Sequence, residues 1–270
     1  MSQEGSDRRT LKTVSRAIEI VDVLAQSGSI GVTELARQLG LSKSTVHTYL
    51  KTLEVEGFIT RDGDEYQLAY ELMLLGESVR NQHILYRTGR GEIDELAAKV
   101  GQYAHLTIEE NGRCVNLYQA RGDTAVSHDY QSAKLFQRDY LHVTAAGKAI
   151  LAYLSREKVT SILDRHGLPQ HTPQTITDRK TLYEELDTIR ERGYAFNDEE
   201  EVNGFRAVGA PVLRPDGEVL GSLSVSGPTS VLDDDQFYDE IPDAVTHAAN
   251  VIEVSMNMSS KYNSLSESLG

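Results

Sequence analysis

One short segment gathers side chains suited to a single kind of chemistry. Lys43, Ser44, Thr45, His47, Thr48 and Lys51 follow one another closely, and no carboxylate occurs between Glu34 and Glu54. Read as a helix at 100° per residue, the segment places Val46, Tyr49, Leu50 and Leu53 within one arc that must face a core. Ser44, His47, Thr48 and Lys51 then share the opposite face, with Lys43 and Thr45 in the first turn. Small hydroxyls, an imidazole and ammonium groups can approach phosphates and base edges without clashing. A face that only meets solvent would usually mix in acids, so the spacing points to nucleic-acid recognition.

Catalytic chemistry finds little support. There is no G-x-S-x-G, no G-x-x-x-x-G-K-[ST] and no H-E-x-x-H. The eight histidines are scattered. His166 and His171 flank a Gly-Leu-Pro turn without a neighbouring acid, and His142 reads as a packed, hydrogen-bonded residue rather than a base. The single cysteine, Cys114, lies among alternating apolar residues and reads as core. It excludes an intrachain disulfide, and with it a thiolate metal site loses its ligands. No cofactor or metal motif is found, and none is expected. An enzyme carrying an appended DNA-binding module stays open as an alternative, as does a DNA-binding scaffold that senses nothing.

The elements that must carry the recognition segment follow from periodicity and breakers. Residues 14–25 form an amphipathic helix with Ala17, Ile20, Val21 and Leu24 on one face, ended by Ser27-Gly28-Ser29. Thr33 is expected to cap a short helix from Glu34 to Leu39, closed by Gly40. Ser42 then caps the recognition helix, which runs to about Glu56. Two short helices joined by a Gly-containing turn are a helix-turn-helix. Phe58–Arg61 and Glu65–Leu68 around Asp62-Gly63-Asp64 read as a hairpin, the wing of a winged helix, with Arg61 near its tip as a further phosphate contact.

Beyond the wing, Leu72, Leu75, Val79 and Tyr86 mark a linker helix with an apolar stripe that needs a partner. Arg87-Thr-Gly-Arg-Gly91 is expected to break it, before a helix bearing Ile93, Leu96, Ala97 and Val100. The period then changes to two. Tyr103–Glu109 and Arg113–Gln119 are strands joined at Asn111-Gly112; helices follow near 145–153, 156–165 and 179–192. Strands return at 194–197, 205–213 and 218–226, and a helix spans about Asp234 to Met256. Strands flanked by helices, without βαβ alternation, indicate an α+β domain on an antiparallel sheet. The expected organisation is residues 8–70 as the DNA-binding module, 71–87 as a linker and dimerisation helix, and 88–260 as a second domain.

The 270 residues carry a formal net charge of -14, unevenly spread. Residues 8–51 hold seven Lys/Arg against three Asp/Glu, while residues 81–270 hold 18 against 29. The one basic stretch is therefore the N-terminal module. Arginine outnumbers lysine 18 to 9, and an acidic, arginine-rich balance of this kind resembles proteins of salt-loving organisms. No apolar run approaches the roughly 20 residues of a membrane span, and MSQEGSDRRT lacks an apolar secretory segment. A cytoplasmic protein without membrane partners is expected.

Taken in order, several segments resemble the IclR family of bacterial and archaeal regulators. They are Val14-Ser-Arg-Ala-Ile-Glu-Ile-Val, Leu41-Ser-Lys-Ser-Thr-Val-His-Thr-Tyr-Leu, Leu141-His-Val-Thr-Ala-Ala-Gly-Lys-Ala149, Gly193-Tyr-Ala-Phe-Asn-Asp-Glu-Glu200, Gly204-Phe-Arg-Ala-Val-Gly-Ala-Pro-Val212 and Ser222-Leu-Ser-Val-Ser-Gly-Pro228. The acidic composition makes the chain look like a haloarchaeal member. The resemblance implies a winged helix-turn-helix that binds a pseudo-palindromic double-stranded operator as a homodimer or homotetramer. It also implies a GAF-like domain that binds a small metabolite, an organic acid or a sugar-derived compound, in control of a catabolic pathway.

By that resemblance the effector pocket is lined by Ala145, Ala146, Asn197, Ala207, Ser224 and Ser226. Two serines two apart on a strand share a face, and N–H groups at a helix start near Ala145 can hold a carboxylate. The chain departs from relatives that bind short keto acids, which carry aspartate where it has Asn197 and cysteine where it has Ala207. Phe136 and Tyr140 stand where the family often has Gly and Pro, and Thr48 where an arginine is common. With no aspartate at position 197 and two hydroxyls, the pocket is expected to suit a small polyhydroxylated acid.

Overall fold

The structure, a computed structural model, describes residues 10–126, 131 and 138–268, with side chains as far as residue 258. Phe136 lies outside the described residues. The chain forms two compact units that divide between Val79 and Arg80.

The first unit runs α1 (Lys12–Ser27), β1 (Ser29–Gly31), α2 (Val32–Leu39), α3 (Lys43–Val55), β2 (Ile59–Asp62) and β3 (Glu65–Leu68), and α4 (Glu71–Gln82) begins in it. Ile20, Leu24, Leu35, Val46 and Leu50 are fully buried around Ile30, Leu53, Ile59 and Tyr66. Each such aliphatic side chain contributes roughly 1.5–3 kcal/mol, enough for a core built from three short helices and a small sheet. The wing is the antiparallel pair β2–β3, with Ile59 opposite Leu68 and Asp62 opposite Glu65. Gly63 turns it at φ 60°.

Three local readings are corrected. Ser29–Gly31 does not merely end α1 but adds a third strand, in the order β1-β3-β2. Thr33 is not a cap: α2 starts at Val32 from an extended Gly31, and no side chain caps it. Tyr49 is half-buried at the edge of the core rather than inside it.

The second unit contains α5 (Ile84–Val100), β4 (Tyr103–Glu110), β5 (Arg113–Arg121), β6 (Asp139–Tyr140), a 3-10 turn (Leu141–Val143) and α6 (Ala145–Tyr153). It continues with α7 (Arg156–His166), α8 (Arg179–Arg192), β7 (Ala195–Asp198), β8 (Phe205–Leu213), β9 (Val219–Pro228), a π-helical turn (Gln236–Glu240) and α9 (Ile241–Ser268). The six strands make one antiparallel sheet in the order β6-β5-β4-β9-β8-β7.

Here the linker reading is corrected. The helix expected from Leu72 to Tyr86 ends at Gln82, and a new one starts at Ile84 after extended His83. The expected break at Arg87–Gly91 does not exist, because α5 runs straight through it. A Cβ on Gly89 would sit 3.2 Å from Ile252 and Leu106 side-chain carbons, so glycine there admits close packing rather than ending the helix.

Strand alternation gives the sheet two unlike faces. Ala104, Leu106, Val208, Ala210, Leu223 and Val225 pack with α5 and α9 in one apolar layer. The intervening His105, Thr107, Ala207, Gly209, Ser222, Ser224 and Ser226 are therefore turned to the opposite side, where polar groups are buried. That side is covered in part by α6, which begins with the small residues Ala145, Ala146 and Gly147 and is buried from Ala145 to Ala152. A Cβ on Gly209 would lie 2.8 Å from Ala145 C and Ala146 N, so strand backbone and helix start touch directly. Among the described residues no helix is long and apolar enough to cross a membrane.

Candidate functional site

On the first unit the face of α3 that the sequence suggests for DNA, Lys43, Ser44, Thr45, His47, Thr48 and Lys51, is exposed. Ser42 caps α3, its Oγ accepting from Thr45 N at 3.1 Å, and Ser44 Oγ and Thr45 Oγ1 lie 2.9 and 2.8 Å from the same oxygen. The Thr48 hydroxyl donates back to Ser44 O at 3.0 Å. Lys43, His47 and Lys51 project from the same exposed stretch of helix. Thr45 and Thr48 also border an open groove between α1 and α3, floored by Val14, Ala17, Tyr49 and Leu53. No local pattern signals this groove, which depends on how two helices pack. Arg61 belongs to its own hairpin: Nε donates to Gly63 O at 2.8 Å, and a terminal nitrogen lies 3.4 Å from Asp64. The guanidinium also sits 5.7 Å over the Tyr66 ring. Reaching a phosphate would mean giving up at least part of this arrangement.

In the second unit, all six residues expected around the pocket border one cavity: Ala145 and Ala146 from α6, Asn197 from β7, Ala207 from β8, and Ser224 and Ser226 from β9. Register explains the convergence. Gly209 stands opposite Ser224 and Ala207 opposite Ser226, while β4 lies on the other side of β9 with His105 opposite Ser224. The cavity is small, about 20 Å³, room for one water molecule.

Seven lining residues were missed by sequence reasoning: His105, Thr107, Cys114, Asn116, Asp139, Thr144 and Glu201. Period-two alternation put His105 and Thr107 on one strand face, but only the pairing of β4 with β9 shows which face meets the serines. Cys114, read as core, is buried and also lines the cavity, its Sγ 3.4 Å from Thr144 Oγ1. Asp139 and Glu201 add what the expected lining did not include: position 197 carries an amide and no acid, yet two carboxylates border the space.

Hydrogen bonding fixes the polarity of several lining groups. Thr144 caps α6, its hydroxyl accepting from Gly147 N at 2.9 Å and its carbonyl from Lys148 N. The N–H groups of Ala145 and Ala146 remain at the positive end of the helix. Asn197 Oδ1 accepts from Glu200 N at 2.9 Å, so its NH2 is the end able to donate to a guest. Beneath this turn Lys148, 1% exposed, pairs with Glu200 and lies 3.9 Å from Glu185, which Arg192 holds at 2.8 Å. Burial pushes the Glu200 carboxyl above its ordinary range, and Lys148 pulls it back only in part. His142 is buried, its Nε2 3.1 Å from Pro169 O, and burial lowers its pKa to about 4. Among the described residues no cluster of His, Cys, Asp and Glu could hold a metal ion.

Comparison with known proteins gives a consistent picture. Residues 13–63 match the model of the IclR helix-turn-helix domain, and residues 77–254 match the C-terminal domain of bacterial IclR transcriptional regulators. A probable HTH-type transcriptional regulator ArcR of Halobacterium salinarum is 37% identical over 254 residues, covering 94% of this chain and 96% of the relative. The crystal structure of Thermotoga maritima IclR superposes with a TM-score of 0.75 at 26% identity, over 92% of this chain and 99% of that one. An IclR homologue from Microbacterium hydrocarbonoxydans, solved with 4-hydroxybenzoate, has a TM-score of 0.78 over 91% of this chain and 99% of its own; at 20% identity it speaks to fold alone.

Proposed function

Because the chain belongs to the IclR family of transcriptional regulators, we propose that it binds a pseudo-palindromic operator through α3 and releases or retains it according to a small metabolite held at the start of α6. It is a regulator and not an enzyme, as its named relatives are. The acidic, arginine-rich composition fits the haloarchaeal source of the Halobacterium relative.

One observation carries the reading: six side chains from four separate elements, expected on resemblance alone, border a single cavity. The Ala145 and Ala146 N–H groups and the Asn197 amide offer donors there, which favours a guest rich in acceptors, such as a small organic acid. Asp139 and Glu201 set its other limit, since a second anionic group beside them is disfavoured. At 20 Å³ the wall must open before such a molecule enters, a step able to couple binding to the rest of the chain.

On α3, Lys43 and Lys51 supply phosphate contacts, and Ser44, Thr45, His47 and Thr48 read base edges; Arg61 adds a wing contact if it leaves Asp64. We assign dimerisation to α1 and α4, where Val14 and Ile18, and Met73, Leu74, Leu75 and Val79, are each half or more exposed. Residues 8–70 thus act as the operator-binding module, α4 as the linker and dimer contact, and the chain from α5 onward as the sensor, since Leu85 and Tyr86 belong to its core. Selection of operators from random duplexes tests the assignment: the account expects an inverted repeat, its half-sites altered by substitutions at Ser44, His47 or Thr48. An asymmetric site indifferent to those substitutions would remove it.

A further inference from the structure

Behind the Ser226 side of the cavity lies a buried polar network that the family resemblance does not supply. His105 is 3% exposed, Ser226 4% and Gln131 1%. Gln119 Nε2 donates to the backbone carbonyl of Gln131 at 3.0 Å, which settles which end of that amide is the nitrogen. The same nitrogen faces His105 Nδ1 at 3.4 Å. An amide nitrogen can only donate, so Nδ1 is an acceptor and the ring proton sits on Nε2. Nε2 lies 3.0 Å from Ser226 Oγ and donates to it. Gln131 Nε2 donates to the same oxygen at 3.2 Å.

Two donated bonds occupy both lone pairs of Ser226 Oγ, and its own proton is then the one thing it has left to offer. We propose, on the reading of this cavity as the effector site, that His105 is a specificity-determining positioning residue: its Nε2–H tautomer, set by Gln119, makes the Ser226 hydroxyl an obligate donor toward the bound molecule. The group that meets Ser226 must then accept, and an oxygen without a proton of its own, a carbonyl or carboxylate, fits best. A hydroxyl can still accept there, but it gains no acceptor for its own proton. This narrows the sequence-based expectation of a small polyhydroxylated acid by fixing which of its oxygens meets Ser226.

The test uses the full-length protein in molar KCl, labelled with 15N-histidine, free of DNA. Two-bond 1H–15N correlation reads the His105 ring, identified by its loss in H105Q. A neutral ring protonated at Nε2 at pH 7 is expected; a ring protonated at Nδ1, or doubly protonated, overturns the proposal. Calorimetry with pyruvate and with lactate, which differ by a carbonyl against a hydroxyl at one carbon, reads the consequence. Wild type is expected to favour pyruvate at least tenfold. H105L frees one lone pair of Ser226 and should bring that ratio toward one, whereas H105Q, whose amide NH2 reaches toward the Nε2 position, should restore it. An unchanged ratio in H105L overturns the proposal, and if neither acid binds, the ring tautomer alone decides. Because none of these readouts uses DNA, their failure leaves the operator assignment standing, and failure of that assignment leaves the tautomer result intact.

Discussion

Replacing Lys148 by methionine keeps the volume of a fully buried side chain and removes its charge. In the wild type the ammonium pairs with Glu200 and lies 3.9 Å from Glu185. Without it, the Glu200 carboxylate stays in a buried site where its Oε2 already lacks a partner, with Glu185 as a like-charged neighbour. Breaking one side of such a pair costs about 3–5 kcal/mol. For a unit of this size each kcal/mol moves Tm by about 2–4 °C, so Lys148→Met should lower it by roughly 6–20 °C. The pH dependence has a definite sign. A carboxyl raised above its ordinary value binds a proton more readily in the folded state, so it favours folding as pH falls and costs stability as pH rises through that window. Loss of Lys148 raises it further, so the deficit should be larger at pH 8 than at pH 5. Adding Glu200→Gln should recover most of the loss. Calorimetric melts of the wild type and both variants at the two pH values check this. A single variant within 2 °C of wild type at pH 8, or a double variant no better than the single, refutes the reasoning.

Four further outcomes are expected. Ser42→Ala removes the oxygen that holds Thr45 N and should cost about 1 kcal/mol of stability, read by denaturant melts. Lys51→Ala should weaken binding to every duplex alike and reduce the slope of log K against log salt by about 1, measured by anisotropy across a salt series. Leu75→Lys places a charge on the exposed stripe of α4 and should shift the light-scattering mass toward the monomer, whereas a wild type already monomeric at micromolar concentration would contradict the dimer. His142, with its pKa lowered to about 4, resists a proton that the unfolded chain accepts near 6.5, so stability should fall as pH drops across that interval, and His142→Gln should flatten the fall.

Much of the fold could be read from local pattern because the signals were local. Val46, Leu50 and Leu53 repeat at helical spacing beside a cap at Ser42, and nothing outside the segment is needed to orient α3. Where an element depends on a distant partner, the pattern misled. Gly89 and Gly91 look like breakers, yet the closeness of α9 and β4 calls for a residue without a side chain at position 89. Ser29–Gly31 becomes a strand only because β3 pairs with it. The cavity divides in the same way. Ser224 and Ser226 were legible as one strand face, and the resemblance supplied Ala145, Asn197 and Ala207. His105, Cys114 and Glu201 lay beyond reach, since their place beside the serines depends on sheet order and on the turn after β7.

The central claim, that one chain couples an α3–operator contact to a molecule seated against Ser224 and Ser226, is tested most directly by operator anisotropy. The titration would use a selected duplex, the wild type and the Ser224→Ala/Ser226→Ala double variant, each with a panel of small carboxylic acids including pyruvate and 4-hydroxybenzoate. The account predicts equal operator affinity for the two proteins without additive, and a shift caused by at least one acid in the wild type that the double variant loses. A double variant that responds at the wild-type concentration would contradict it.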